Sequence, residues 1–177
     1  MKNVFIILII IIPTVLYAQN NSPYRSLKLD NNQVIYQQTF GCDSVYSENI
    51  KKMLSTFVPT IRNLKDYHLE GDVITGTLSG SYVDYKKYGA KWGNTAAFLN
   101  HPFSANVNFQ WKDGKYRATA TSIVFHTAGL GDMDATNLFS KGRQAKDWNS
   151  NAIIIRAGEY LEQYLTDLFT AKQTENW

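Results

Sequence analysis

The sequence predicts an α+β fold, an antiparallel sheet of about five strands with two helices on one face, in the order β-α-β-β-β-β-α. Three observations carry this. First, Phe103 to Phe125 reads as two strands joined at Asp113-Gly114, a preferred two-residue hairpin turn. Second, pairing from that turn sets Trp111 opposite Tyr116, Phe109 opposite Ala118 and Val107 opposite Ala120 on one face. Gln110 then meets Arg117, Asn108 meets Thr119 and Asn106 meets Thr121 on the other, with Lys112 opposite Lys115. Such alternation marks a sheet covered on one side and wet on the other. Third, two segments repeat apolar residues every three or four positions, as one-sided helices do. A one-residue slip would send every apolar side chain of the hairpin to water, so the patterns on both strands support the turn between them.

The elements follow in order. Lys2 precedes an apolar run from Val4 to Leu16, and Leu16-Tyr17-Ala18 offers a small residue for cleavage, which predicts a signal peptide over 1–18 and a mature start at Gln19. The run is short for a span of about 20 residues. Gln19 to Asn32 lacks periodicity and reads as a flexible leader unless it finds an edge to pair with. The domain, 33–172, opens with a strand in which Val34, Tyr36 and Phe40 face the core and Ile35 faces out.

Ser47 is expected to cap a helix carrying Ile50, Met53, Leu54, Phe57, Ile61 and Leu64. Pro59 interrupts it, either ending the helix near Val58 or kinking it. Tyr67–Glu70 and Val73–Asp84 read as a second hairpin turning at Gly71-Asp72. Ile74, Leu78 and Tyr82 point one way, and Gly76 and Gly80 leave room for a helix. After the central hairpin, 126–149 reads as a long connection. Ser150 or Asn151 then caps a last helix with Ile154, Ala157, Leu161, Leu165 and Leu168 on one stripe, widened by Tyr160 and Tyr164.

Composition narrows the function classes. Removing 18 of 177 residues leaves 159, the size of one ordinary domain. Losing Lys2 takes the formal charge from +3 to +2, which does not by itself point to a nucleic-acid partner. Cys42 is the only cysteine, so no internal disulfide forms, and a small buried residue is the expected reading. No transmembrane segment is expected in the mature chain.

For binding, Tyr85, Lys86, Lys87, Tyr88, Lys91 and Trp92 interleave aromatic rings with cations between Tyr85 and Pro102, where strand alternation fails. Such rings stack on sugars or bases and such cations hold phosphates, although the same residues also decorate ordinary loops. For metals, Asp132 and Asp134 resemble the start of a calcium loop, but Asn137 stands where that loop needs glycine. Gly129 and Gly131 lack the third glycine of a dinucleotide loop. No cofactor or metal signature results. His68, His101 and His126 have no paired metal spacing, and no Gly-x-Ser-x-Gly elbow occurs; a constellation of Cys42 with a histidine stays open.

Ser47-Glu48-Asn49-Ile50, Glu70-Gly71-Asp72-Val73-Ile74-Thr75-Gly76 and Trp111-Lys112-Asp113-Gly114-Lys115-Tyr116-Arg117 resemble the pattern of domain-of-unknown-function family 4468, secreted bacterial proteins with a TATA-binding-protein-like (TBP-like) fold. The resemblance covers about Val34 to Phe125 and implies the same strand and helix order reached from periodicity. It implies no activity and no site residues, and a shared fold does not imply DNA binding. The expected function is therefore a non-catalytic binding or structural module of the bacterial cell envelope, exported to the periplasm or beyond. Envelope glycan, lipid or another envelope protein are the candidate partners. An apolar-ligand carrier of helix-grip type ranks second and a secreted hydrolase third.

Overall fold

The computed structural model describes residues 22–129, 131–142 and 145–171, with the backbone alone at Trp92. The expected signal segment at 1–18 and the expected domain limit at 172 lie outside the described residues.

The chain enters the sheet earlier than its composition suggests. β1 (Leu27–Asp30) pairs antiparallel with β2 (Gln33–Gly41), so this part of the expected leader is an edge strand with Leu27 buried. Asn31 and Asn32, at φ 46° and 60°, make the turn between them, which asparagine tolerates better than most residues. In β2, Val34 and Tyr36 are buried as expected, but so is Ile35, which stands opposite Lys28 of β1.

α1 (Ser47–Phe57) is capped by a residue distant in sequence rather than by the Ser47 side chain. Asp113, in the central hairpin turn, accepts a hydrogen bond from the Ser47 backbone N–H at 2.6 Å. Pro59 ends the helix: Val58–Thr60 is a single 3-10 turn, after which Ile61 is buried and Leu64 opens β3 (Leu64–Glu70). In β4 (Val73–Ser81), Ile74 and Leu78 are buried but Tyr82, just beyond it, is 56% exposed. The reason is a bulge in which Ser79 and Gly80 stand opposite Ser104 alone, with Gly80 at φ 74°. It reverses the alternation, so Ser81 and Val83 turn inward instead. Gly76 makes room for a strand and not for a helix. A Cβ there would lie 3.1 Å from Cβ of Tyr67 and 3.2 Å from Cδ1 of Leu64, where β3 bulges opposite it.

β5 (Phe103–Lys112) and β6 (Lys115–Thr127) pair in the expected register, from Lys112 with Lys115 to Asn106 with Thr121. The segment expected as an irregular connection at 126–149 is largely built. β7 (Gly131–Asp134) pairs with the far end of β6, and α2 (Ala135–Phe139) is capped by Asp134, which accepts from the Thr136 N–H at 2.7 Å. β8 (Ser140–Lys141) and β9 (Asp147–Trp148) form a small separate sheet. α3 (Ala152–Phe169) is capped by Asn151, which accepts from the Ile153 and Ile154 N–H groups.

The main sheet runs β1-β2-β6-β5-β4-β3 with β7 beside β6, seven strands where about five were expected; β1 and β7 are the additions. β5 and β6 are central, as the hairpin suggests. α1 packs on β5 and β6 and α3 on β2. Ile50, Leu54, Leu161, Leu165 and Phe169 join Phe109, Ala118 and Ala120 in one core. Phe169, outside the stripe read from sequence, meets Phe109 edge-on at 5.4 Å. Each leucine, isoleucine or phenylalanine among them contributes about 1.5–3 kcal/mol on burial, which opposes any slip of register. The opposite face, with Asn106, Asn108, Gln110, Arg117 and Thr119, is open to solvent to varying degrees. No helix among the described residues is long and apolar enough to cross a membrane.

Candidate functional sites

The six residues of the Tyr85–Trp92 cluster separate. Asp84 turns the chain by accepting from the Lys87 N–H, and Gly89 at φ 82° closes a 3-10 turn over Tyr85–Tyr88. Tyr85 points into the core, 5% exposed, its hydroxyl donating to Oδ1 of Asn100 at 2.5 Å. Lys87 and Tyr88 clamp the turn to α3: Lys87 Nζ and the Tyr88 hydroxyl both donate to Oδ2 of Asp167, at 2.5 and 2.9 Å. The Lys87 hydrogen bond holds the Asp167 carboxyl below its usual range, while burial and Asp167 itself push the Tyr88 hydroxyl up. Lys86 and Lys91 are exposed, and the Trp92 side chain lies outside the described parts. Three of the six therefore fasten the turn to the molecule.

Beside Tyr88 lies a cleft of about 620 Å³ between α3 and residues 23–26, reaching Gln38, Glu159, Glu162 and Asp167. Its inner polar groups are already engaged with one another. Oε1 of Gln38 accepts from Ser26 Oγ at 2.8 Å, Thr166 Oγ1 at 3.0 Å and the Tyr36 hydroxyl at 3.3 Å, and Glu162 accepts from the Ser26 N–H. These bonds stitch Ser26, just before β1, and β2 to α3 and satisfy groups that would otherwise be costly to bury.

The open face offers a different setting. Register places Thr39, Arg117, Gln110 and Val73 in one row across four strands, and Gln37, Thr119, Asn108, Thr75 and His68 in the next. These rows present hydroxyls, amides, the Arg117 guanidinium and one imidazole, with His68 Nε2 3.0 Å from Thr75 Oγ1. At the turn end a groove of about 510 Å³ is lined by Asp72, Lys112, Lys115 and Arg117 among others. Lys112 and Lys115 face each other directly across the strands, an arrangement that like charges disfavour. Asp113, between them in sequence, spends its carboxylate on Ser47.

At the far end of the same hairpin three residues meet. Ser104 Oγ lies 2.9 Å from Nε2 of His126, and Nδ1 of His126 lies 2.8 Å from Oδ1 of Asp132. The side chains of His126 and Asp132 are 41% and 67% exposed. His101 is half-buried elsewhere, and Cys42 is a core residue, 2% exposed. In the sequence, His126 lacks paired metal spacing and Asp132 only resembles the start of a calcium loop, and no motif joins them or includes Ser104. Nothing in the residue spacing signals their meeting, which depends on a bulge in β6 and on the strand β7.

Comparison with solved structures gives the fold. The chain is similar to a TBP-like protein from Parabacteroides distasonis ATCC 8503 (TM-score 0.54, 12% identity, covering 86% of this chain and 100% of that one). It is also similar to a DUF4468 family protein from Bacteroides ovatus ATCC 8483 (TM-score 0.52, 9% identity, covering 85% and 94%). No family model matches the chain and no curated protein sequence matches it. The resemblance drawn from the motifs thus extends to the three-dimensional fold, TBP-like and α+β, at identities that speak to fold alone.

Proposed function

We propose that the protein is exported by its N-terminal segment and works in the cell envelope as a binding module that holds an anionic polymer against the open face of the sheet. The observation that carries this reading is the groove at the turn end, where Lys112 and Lys115 face each other and Arg117 stands in the next row. An anion placed there relieves the repulsion between the two ammonium groups. The adjoining rows of hydroxyls and amides extend the contact over a polyhydroxylated chain. An apolar-ligand carrier is less well supported, because rings fill the dry side: Phe103 meets Phe125 at 5.6 Å and Tyr164 at 5.9 Å.

The test is binding of the purified protein to inorganic polyphosphate and to uncharged dextran. The expected result is salt-sensitive binding of polyphosphate alone, weakened about tenfold or more in Lys112→Glu/Lys115→Glu, with the circular dichroism spectrum of the folded protein retained. Equal binding of both polymers, or unchanged affinity in the double variant, would remove the proposal.

A further inference from the structure

β6 does not keep one phase along its length. Up to Ala120 its even-numbered residues, Tyr116, Ala118 and Ala120, face the core; beyond the bulge its odd-numbered residues, Ile123, Phe125 and Thr127, do. The change occurs where Ser122 and Ile123 stand opposite Ala105 alone, with Ser122 at φ 50°. Bulges of this kind re-aim side chains and are common beside active sites. Here the consequence is that His126 leaves the core face for the open face. There it pairs directly with Asp132 of β7 and lies diagonal to Ser104 of β5, whose own register partner is Val124. A second bulge, Ser79-Gly80 of β4, faces Ser104 from the other side.

We propose that Ser104, His126 and Asp132 form an acyl-transfer site that hydrolyses esters. The atoms meet in the order such chemistry requires: hydroxyl to Nε2 at 2.9 Å, Nδ1 to carboxylate at 2.8 Å. Asp132 accepts from Nδ1–H, which leaves Nε2 with its lone pair toward the serine hydroxyl. Ser104 Oγ then forms a bond to the acyl carbon as its proton passes to Nε2. The carbon–oxygen bond to the alcohol breaks, and the alcohol leaves with that proton. Water attacks the acyl-serine, gives a proton to Nε2, and the free acid departs as Ser104 regains its hydrogen; ester and water become acid and alcohol, with no other reactant. Ser104 is the nucleophile and His126 the base, while Asp132 is a positioning residue. Because the side chains of His126 and Asp132 are 41% and 67% exposed, the substrate class is an ester displayed on a larger molecule, such as an O-acyl group on a polyhydroxylated polymer. The site is independent of the cationic groove, which lies about eight residues along β5, roughly 26 Å away.

The purified protein is treated with a fluorophosphonate probe and the adduct is mapped by peptide mass spectrometry, alongside hydrolysis of p-nitrophenyl acetate. The expected result is one adduct on Ser104, formed only in the folded protein. It is absent in Ser104→Ala and about 100-fold slower in His126→Gln. Asp132→Asn should also slow labelling, and Asp132→Glu should restore most of the rate, which a merely structural role for Asp132 would not produce. Labelling is read without polyphosphate and polyphosphate binding is read without the probe, so the two proposals fail separately. No adduct on Ser104, or labelling at the parental rate in a folded His126→Gln, would overturn the inference.

Discussion

Gly158 sits in the middle of α3, where alanine should be better, and the structure says alanine will be worse. A Cβ at this position would lie 2.5 Å from Cε1, Cζ and the hydroxyl oxygen of Tyr24, whose ring covers the helix. Replacing an interior glycine by alanine ordinarily gains about 1 kcal/mol of helix stability. Here the methyl group displaces a ring that is 6% exposed and meets Trp148 edge-on at 4.7 Å and Phe139 at 6.3 Å. Giving up that burial costs about 1.5–3 kcal/mol, and the ring contacts add about 0.5–1.5 kcal/mol. Gly158→Ala should therefore destabilise by about 2 kcal/mol net, seen as a fall of roughly 4–8 °C in melting temperature at about 2–4 °C per kcal/mol. Urea denaturation gives the free energy. In Tyr24→Ala the obstacle is gone, and the same substitution should instead stabilise by about 1 kcal/mol, a coupling of about 3 kcal/mol between the two sites. A stabilising Gly158→Ala in the parent, or equal destabilisation in both backgrounds, would refute the packing of the N-terminal arm on α3.

Asp113→Ala removes the acceptor that caps α1 from the hairpin turn and should cost about 1 kcal/mol, with Asp113→Asn retaining most of it in the same denaturation assay. The hydroxyl of Tyr116 is pushed up to about 12 by burial, and Tyr24, Tyr36 and Tyr164 are raised for the same leading reason. These groups stay protonated longer when folded than when unfolded, so their stabilisation is complete below the unfolded value near about 10 and is lost as pH rises above it. Melting temperature should fall between pH 10 and 12, together with a delayed phenolate absorbance. Lys87→Ala should cost under about 1 kcal/mol at neutral pH because the pair is exposed. Since Asp167 is held below its usual range, the difference from the parent should fade as acid protonates that carboxylate.

The features legible in sequence are those with local causes. The Asp113-Gly114 turn, the register of β5 with β6, the cap at Asn151 and the burial of Ile74 and Leu78 all follow from short-range chemistry and period-two alternation. The Asn31-Asn32 turn before β2 was legible in principle, since asparagine accepts positive φ, but β1 is only four residues long and reads as leader. Other features had no local signal. Ser47 looks like a cap, yet the acceptor comes from Asp113, 66 residues away. Tyr85, Lys87 and Tyr88 look like a recognition cluster because their partners, Asn100 and Asp167, are not their sequence neighbours.

The open-face residues show why alternation, the strongest guide to the sheet, is weakest at the site it builds. Carried past Ala120 without interruption, period two would send Ser122, Val124 and His126 inward and expose Ile123 and Phe125. The energetic preference is plain: Phe125 is fully buried and meets Phe98 at 5.0 Å, whereas an inward His126 would lose its partner Asp132 and bury an imidazole. The bulge at Ser122 resolves both demands in one step. It also couples them, because any change that restores simple alternation must expose Phe125 in order to bury His126. The geometry of Ser104, His126 and Asp132 is thus held by the aromatic core behind it, and hydrogen bonds among exposed side chains need only complete an arrangement that apolar burial has already imposed.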